Sequence, residues 1–345
     1  MKGTALRIGC IAAFSLMCGY IHAAAATDMV NVGLGGSSVD TAFYLARDKG
    51  YFKDENINVN FIVFTAGSQE IAPLGTGELE VGSGAASVGL YNAIARGVGL
   101  RIVADKGHTE PGNGYQSLVV RKALIDSGEF KSLADLKGKR MGIAAEGVTT
   151  LSYVNEAAKA GGIAFDDVSL MYLPMPDQLA AMKNGVLDAG ILPEPPSTLI
   201  TDAGIGVRFM NTDQFYPFGQ VTMVFYGEKF LHDKPELALR FMRAYLRGIR
   251  AYNDGLKDGK VRPDADDVIE TISKNFKMPP ALVTEMDAPA IDPDGMVQVK
   301  SIQKDLDFFR ARAWVKQPID LNNVIDMSIA QKASADLGKY QRKSN

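Results

Sequence analysis

Four short segments hold the residue types that grip a polar ligand. They are Gly36-Ser37-Ser38 with Asp40 just behind, Gly67-Ser68-Gln69, Gly84-Ala85-Ala86-Ser87 and Gly147-Val148-Thr149-Thr150. Each follows an apolar run and opens a helical pattern. The first turn of a helix has unpaired backbone N–H groups and the positive end of its dipole. Glycine admits a ligand to the backbone, and hydroxyls add donors. Such loops make a site for an anion or a polar group. The competing reading is that these Ser and Thr residues are helix N-caps. No Arg or Lys lies in the four loops, so an anion would be held by neutral N–H and O–H donors.

Three further residues stand apart from the loops. Glu194 lies in the stiff stretch Leu192-Pro-Glu-Pro-Pro-Ser197. It can cap the next helix, shape a hinge or accept from a ligand donor. His108 opens a Gly-rich stretch after an apolar run, a cleft-edge position, and Gln220 begins the apolar run Gln220–Tyr226. The candidate ligand-binding set is therefore Ser37, Ser38, Asp40, Gln69, Ala85, Ser87, His108, Thr149, Thr150, Glu194 and Gln220.

Other chemistry is excluded by pattern. No G-x-x-x-x-G-K-[ST] occurs, and Gly33, Gly35 and Gly36 match a dinucleotide fingerprint only faintly. Ser37 has no G-x-S-x-G context and no His and Asp at hydrolase spacing. His108 and His232 are far apart and sit in no metal spacing, so no metal and no cofactor is expected. The 345 residues carry 37 Lys and Arg against 40 Asp and Glu, with no basic run, which argues against nucleic acid.

Lys2 and Arg7, the uncharged stretch Ile8–Tyr20 and Ala24-x-Ala26 read as a secretory signal peptide, residues 1–26, cut near Ala26. As a helix the stretch spans about 20 Å, short of the roughly 30 Å of a bilayer core. Cleavage would remove Cys10 and Cys18, the two cysteines of the chain. The exported protein would then have no disulfide and no thiol nucleophile. A periplasmic location follows as the expectation.

The elements that must position these loops alternate. Val30–Leu34, Ile57–Phe64, Leu79–Gly82 and Leu100–Ala104 read as strands, with helices over Thr41–Lys49, from Gln69 to Gly75–Gly77, and up to Arg96. The pattern repeats with strands at Arg140–Ala144, Val168–Leu173 and Leu187–Leu192, and helices to Ala160 and over Asp177–Asn184. Gly77-Glu-Leu-Glu-Val-Gly82 echoes Gly185-Val-Leu-Asp-Ala-Gly190. Alternation of this kind predicts an α/β fold of two similar parallel-sheet lobes. Crossings at Ser117–Val120 and Gln220–Tyr226 make a two-strand hinge. Lobe one is residues 27–120 plus 219–345, including a helical C-terminal extension, and lobe two is residues 121–218. In that extension Leu237–Tyr252, Asp266–Phe276, Val297–Trp314 and Asp326–Leu337 read as helices.

Several segments resemble a known family. Ala42-Phe-Tyr-Leu-Ala-Arg-Asp-Lys-Gly-Tyr-Phe52, Leu133-Ala-Asp-Leu-Lys-Gly-Lys-Arg-Met-Gly142, Gly185–Gly190, Glu194-Pro195, Ile291-Asp-Pro-Asp-Gly295 and Val324-Ile-Asp-Met-Ser328 are similar to periplasmic substrate-binding proteins of ABC importers. The resemblance is to the nitrate/sulfonate/taurine and thiamine-precursor (NMT1/THI5-like) group and covers residues 28 to 340. It implies a two-lobed, type II-like periplasmic binding protein fold that closes on its ligand. It further implies capture of a small organic molecule (a sulfonate, an aromatic acid or a pyrimidine-like compound) and delivery to an inner-membrane permease, with the chain a monomer.

Two alternatives accompany this reading. One is the ligand-sensing partner of a membrane receptor. The other is an enzyme of pyrimidine or thiamine-precursor metabolism, but such relatives use a cysteine-rich motif that is absent after residue 26. Many members carry Trp before the Glu-Pro pair. Pro193 here implies a pocket of another shape. Nitrate ranks lowest, because a tiny anion needs a positively biased pocket and these loops carry Asp40 and Glu194 but no cation.

Overall fold

A computed structural model describes residues 27–64 and 67–343. The predicted signal segment lies outside the described residues. Ten strands form two five-stranded sheets. The first holds β1 (Asp28–Leu34), β2 (Ile57–Val63), β3 (Val81–Gly84), β4 (Leu100–His108) and β10 (Gln220–Gly227), in the order β2-β1-β3-β10-β4. The second holds β5 (Gln116–Arg121), β6 (Arg140–Ile143), β7 (Ser169–Tyr172), β8 (Ala189–Pro193) and β9 (Gly206–Asn211), in the order β7-β6-β8-β5-β9. In each sheet three strands are parallel and the last two run antiparallel to their neighbours.

The predicted repeat is visible in these orders. β1, β2 and β3 correspond to β6, β7 and β8. Gly77 and Gly185 both have positive φ, at 83° and 72°, and release the chain from a helix toward equivalent strands. The likeness reaches side chains. Glu80 accepts from Asn31 N at 3.0 Å, and Asp188 accepts from Arg140 N at the same 3.0 Å. A Cβ at Gly33 or Gly82 would stand 2.7 Å from Glu70 Oε2, and one at Gly142 would stand 2.7 Å from Gln178 Oε1. Lobe one thus buries an acid where lobe two buries an amide.

One boundary differs from expectation. The strand Gln116–Arg121, expected to close lobe one at 120, pairs with β8 and β9 in the second sheet. Its apolar run is buried between two neighbours of lobe two, so the chain crosses earlier, within 109–115. The second crossing lies within 212–219, before β10.

The C-terminal helices do more than extend lobe one. Pro235–Asp254 packs its buried face on the helix Thr41–Asp48, with Phe43 stacked on Tyr245 at 4.2 Å. Val299–Ala311 bridges the lobes. Its Ile302, Leu306 and Phe309 join one buried cluster with Leu90 and Ile102 of lobe one and Leu118 and Met141 of lobe two. Burying a side chain such as Phe309 contributes about 1.5–3 kcal/mol. Arg312, just past this helix, pairs with Asp166 of lobe two at 2.6 Å, and Lys304 pairs with Glu156.

Candidate functional site

Lobe one supplies a buried polar floor. β1 ends at Leu34, and the chain turns through a short 3-10 segment Ser38–Asp40 into the helix Thr41–Asp48. Asp40 is fully buried, and its Oδ2 accepts from Ser37 N at 3.0 Å. Its other oxygen is paired with Lys106 Nζ, itself 1% exposed on β4. Lys106 also donates to Ser83 Oγ at 2.9 Å, and Ser83 Oγ donates to Gly33 O at 2.9 Å. Ser83 N donates to Glu70 Oε2 at 2.7 Å. A relay of Glu70, Ser83, Lys106 and Asp40 therefore ties two helix-opening loops of lobe one to strands β3 and β4.

Burial pushes the Glu70 carboxyl up to about 7, against the pull of the Ser83 N–H and Lys106 and with a further push from Asp40. Folded Glu70 holds its proton more tightly than an ordinary carboxyl at 4.5. Between those values the folded state binds more protons than the unfolded one, so this group lowers stability as pH rises. Glu70→Gln, which copies Gln178 of lobe two, is expected to flatten that part of the stability profile. Unfolding midpoints from pH 4.5 to 8 check it. Asp305, raised by burial to about 7 as well, leaves a residual slope.

Lobe two supplies the opposite rim. β6 and β8 are adjacent and parallel, and helices Thr150–Ala160 and Pro196–Asp202 start beyond their ends. Thr149 Oγ1 and Ser197 Oγ are buried at those helix starts, and neither has a hydrogen-bond partner among the described residues. Buried hydroxyls are nearly always satisfied, so two at one rim require an explanation. Thr150 is half-buried beside them.

The loops of the two lobes meet. Val88 N, at the start of the helix Val88–Ala95 that follows β3, donates to Gly147 O at 3.0 Å. Gly147 has φ 69°, and a Cβ there would lie 3.0 Å from Val88 Cβ. Gly147→Ala is expected to strain the turn by about 1–2 kcal/mol and to push the loops apart. Calorimetric affinity should fall severalfold beyond what the unfolding midpoint accounts for.

Glu194 directly follows β8, and its side chain has no exposed surface. It is paired with Arg208 Nη2, and its Oε2 accepts from Thr198 N at 3.1 Å. Arg208 Nη1 reaches Asp287 of lobe one at 2.6 Å, and Asp287 also pairs with Lys260 at 3.0 Å. Burial raises the Glu194 pKa despite Arg208 and Thr198. Helix capping and lobe-to-lobe bridging are thus both present at this residue. Tyr115, from the first crossing, is buried with Ser38, Asp40 and Glu194 around it.

The remaining candidates take other places. Gln69 is exposed, and the buried residue of its loop is Glu70. Ser87 accepts from Leu90 N at 3.2 Å as an N-cap, and Ala85 is half-buried in the same turn. Gln220 is consumed by the fold. Its amide donates to Asp105 Oδ1 at 2.7 Å and Gly107 O at 3.0 Å, and its carbonyl accepts from Gln298 N at 2.7 Å. Both amide donors are thereby used, and the side chain is buried. His108 Nδ1 lies 2.7 Å from Asp105 Oδ2. It faces a cavity of about 350 Å³ shared with Glu110, Phe218 and Tyr340, not the four loops. Burial disfavours its charge, yet Asp105, Glu110 and Asp292 raise its pKa above the ordinary value.

The absence of cations from the loops needs correcting at the level of the site. Lys106 and Arg208 come from β4 and β9, beneath the loops, and each meets one of the two carboxylates. The signal for Lys106 was present: Asp105-Lys106 interrupts an apolar strand, and a charged pair inside such a run needs partners. Among the described residues no cluster of three His, Cys, Asp or Glu could hold a metal.

Comparison with known proteins agrees with this architecture. A Brucella abortus protein named as a binding protein is 25% identical over 194 residues. The match takes in 51% of this chain and 52% of that protein, so the chain spans about half the length of the curated relative it matches. The alkanesulfonate-binding protein SsuA of Xanthomonas axonopodis pv. citri, bound to MOPS, superposes with a TM-score of 0.67 at 18% identity, over 88% of this chain and 99% of that one. The periplasmic nitrate-binding protein NrtA of Synechocystis PCC 6803 gives 0.71 at 13% identity, over 90% and 89%. At such identities the likeness establishes the fold, that of periplasmic binding proteins. The family model described as NMT1/THI5 like matches residues 38–254, and the chain belongs to that family.

Proposed function

We propose that the chain is a periplasmic solute-binding protein, exported by its N-terminal segment, that captures a small organic molecule between its lobes and delivers it to an ABC importer. The observation that carries this reading is the pair of buried, unpartnered hydroxyls of Thr149 and Ser197, at the starts of the helices that follow β6 and β8. They offer donors where a ligand's polar group would sit. The cations near the cleft are each matched by a carboxylate, so the site favours an organic ligand held by neutral donors over a bare inorganic anion. A sulfonate, an aromatic acid or a pyrimidine-like compound fits that description, and no bond-making step is required. Among the described residues no helix is long and apolar enough to cross a membrane.

A thermal-shift screen over sulfonates, nitrate, aromatic acids and pyrimidines tests it, with the recovered ligand analysed afterwards. A class of organic ligand should raise the melting temperature and be recovered unchanged. A preference for nitrate, or conversion of the ligand, would contradict the reading. Thr149→Ala should weaken binding by about 0.5–1.5 kcal/mol for a neutral ligand, and by about 1.5–3 kcal/mol for a charged one. Calorimetry on this variant checks that figure.

A further inference from the structure

A second hollow opens at the outer edge of the contact between the lobes. It has a volume of about 500 Å³ and is walled by Val88 of lobe one, Gly147, Leu151 and Tyr172 of lobe two, and Trp314 of the C-terminal extension. Val88 and Gly147 belong to the same loops that carry Ser87 and Thr149, so the hollow adjoins those loops. Its walls come from both lobes and exist together only when the loops meet.

The chemistry of this hollow differs from that of the inner cleft. Trp314 is the single Trp of the chain. It is held in place by Phe308 at 5.6 Å and Phe165 at 6.1 Å, and its carbonyl accepts from Asn92 of lobe one at 2.9 Å. Tyr172 ends β7 and is 43% exposed, so its ring is not used by the core. Gly89 adds no side chain, and a Cβ there would meet only Ser87 Oγ, at 3.7 Å. Val88, Leu151, Tyr172 and Trp314 give it aliphatic and aromatic surface, and Glu146 and Lys316 add one charge of each sign, so it suits an aryl body with polar edges.

We propose that this hollow is a tail subsite, which takes the aryl portion of an elongated organic molecule whose polar head is held among the inner loops. The inference rests on the solute-binding reading and adds a length and an aromatic character to the ligand. Apolar area removed from water at Tyr172, Leu151 and Trp314 supplies affinity that a short ligand forgoes.

Three probes test it: methanesulfonate, benzenesulfonate and naphthalene-2-sulfonate. Affinity is measured by calorimetry, with Trp314 emission recorded in parallel. The proposal expects the naphthalene probe to bind about tenfold or more tighter than methanesulfonate, and to change Trp314 emission where methanesulfonate does not. Gly89→Leu, which fills the hollow, and Tyr172→Ser, which removes a wall, should each erase most of the naphthalene advantage. Both should leave methanesulfonate affinity unchanged. Equal affinity for all three probes, sensitive to Thr149→Ala but with silent Trp314 emission, overturns the tail subsite and leaves the cleft reading standing. Binding of none of the probes also overturns the tail subsite as proposed, while the solute-binding reading is judged separately by the wider ligand screen.

Discussion

Lys106→Met is expected to destabilise the protein by about 3–5 kcal/mol, the range for removing one partner of a buried ion pair. Asp40 would remain with no exposed surface and with a single strong donor, the Ser37 N–H at 3.0 Å. Ser83 Oγ would lose the donor now 2.9 Å away. Glu70 would lose its nearest positive charge, and its carboxyl would rise further. A second change separates pair from packing. Asp40→Asn combined with Lys106→Met removes the stranded charge, so the double variant should be more stable than Lys106→Met alone. Denaturant unfolding of the wild type and the two variants reads both the loss and the recovery. If Lys106→Met cost less than about 1 kcal/mol, the relay would not be holding the floor together.

Arg208→Met carries the second large effect, about 3 kcal/mol, for the same reason applied to Glu194. Arg208 is partly exposed, but Glu194 is not, and Asp287 would also lose a partner 2.6 Å away. Arg208 belongs to lobe two and Asp287 to lobe one, so this loss has a geometric side as well. Small-angle scattering should show a larger fraction of open molecules in Arg208→Met than in wild type. Glu194→Gln retains the shape and the bond from Thr198 N, and should cost less than Arg208→Met. Because Glu194 and Asp287 share the charge of Arg208, that substitution reports lobe bridging as much as ligand charge. Unchanged stability and unchanged scattering in Arg208→Met would remove the bridge from the account.

The alternation of strand and helix, the repeat and the two-crossing hinge were legible because each rests on local periodicity and on glycine punctuation. The helix Asp266–Phe276 was read at its observed bounds for that reason. The strand Gln116–Arg121 was placed in the wrong lobe because an apolar run states that it is buried and says nothing about which sheet buries it. The site was only partly legible. Loops that open helices were found through their Gly, Ser and Thr. Lys106 and Arg208 were not, since a charge inside a strand acquires its partner only when distant strands are brought together. Gln220 shows the converse. A polar residue beginning an apolar run looked available, and tertiary structure spent its amide on Asp105, Gly107 and Gln298.

The central claim is that the space between Thr149, Ser197 and the lobe-one loops captures a small molecule and leaves it intact. Native mass spectrometry of protein taken from cells without unfolding, with the released compound then identified, addresses this directly. The account predicts one small organic molecule per chain, released unchanged on unfolding, and a much lower occupancy in a Thr149→Ala, Ser197→Ala double variant that still folds. Equal occupancy in the wild type and the double variant, or a wild-type chain that carries and accepts no small molecule, would contradict it.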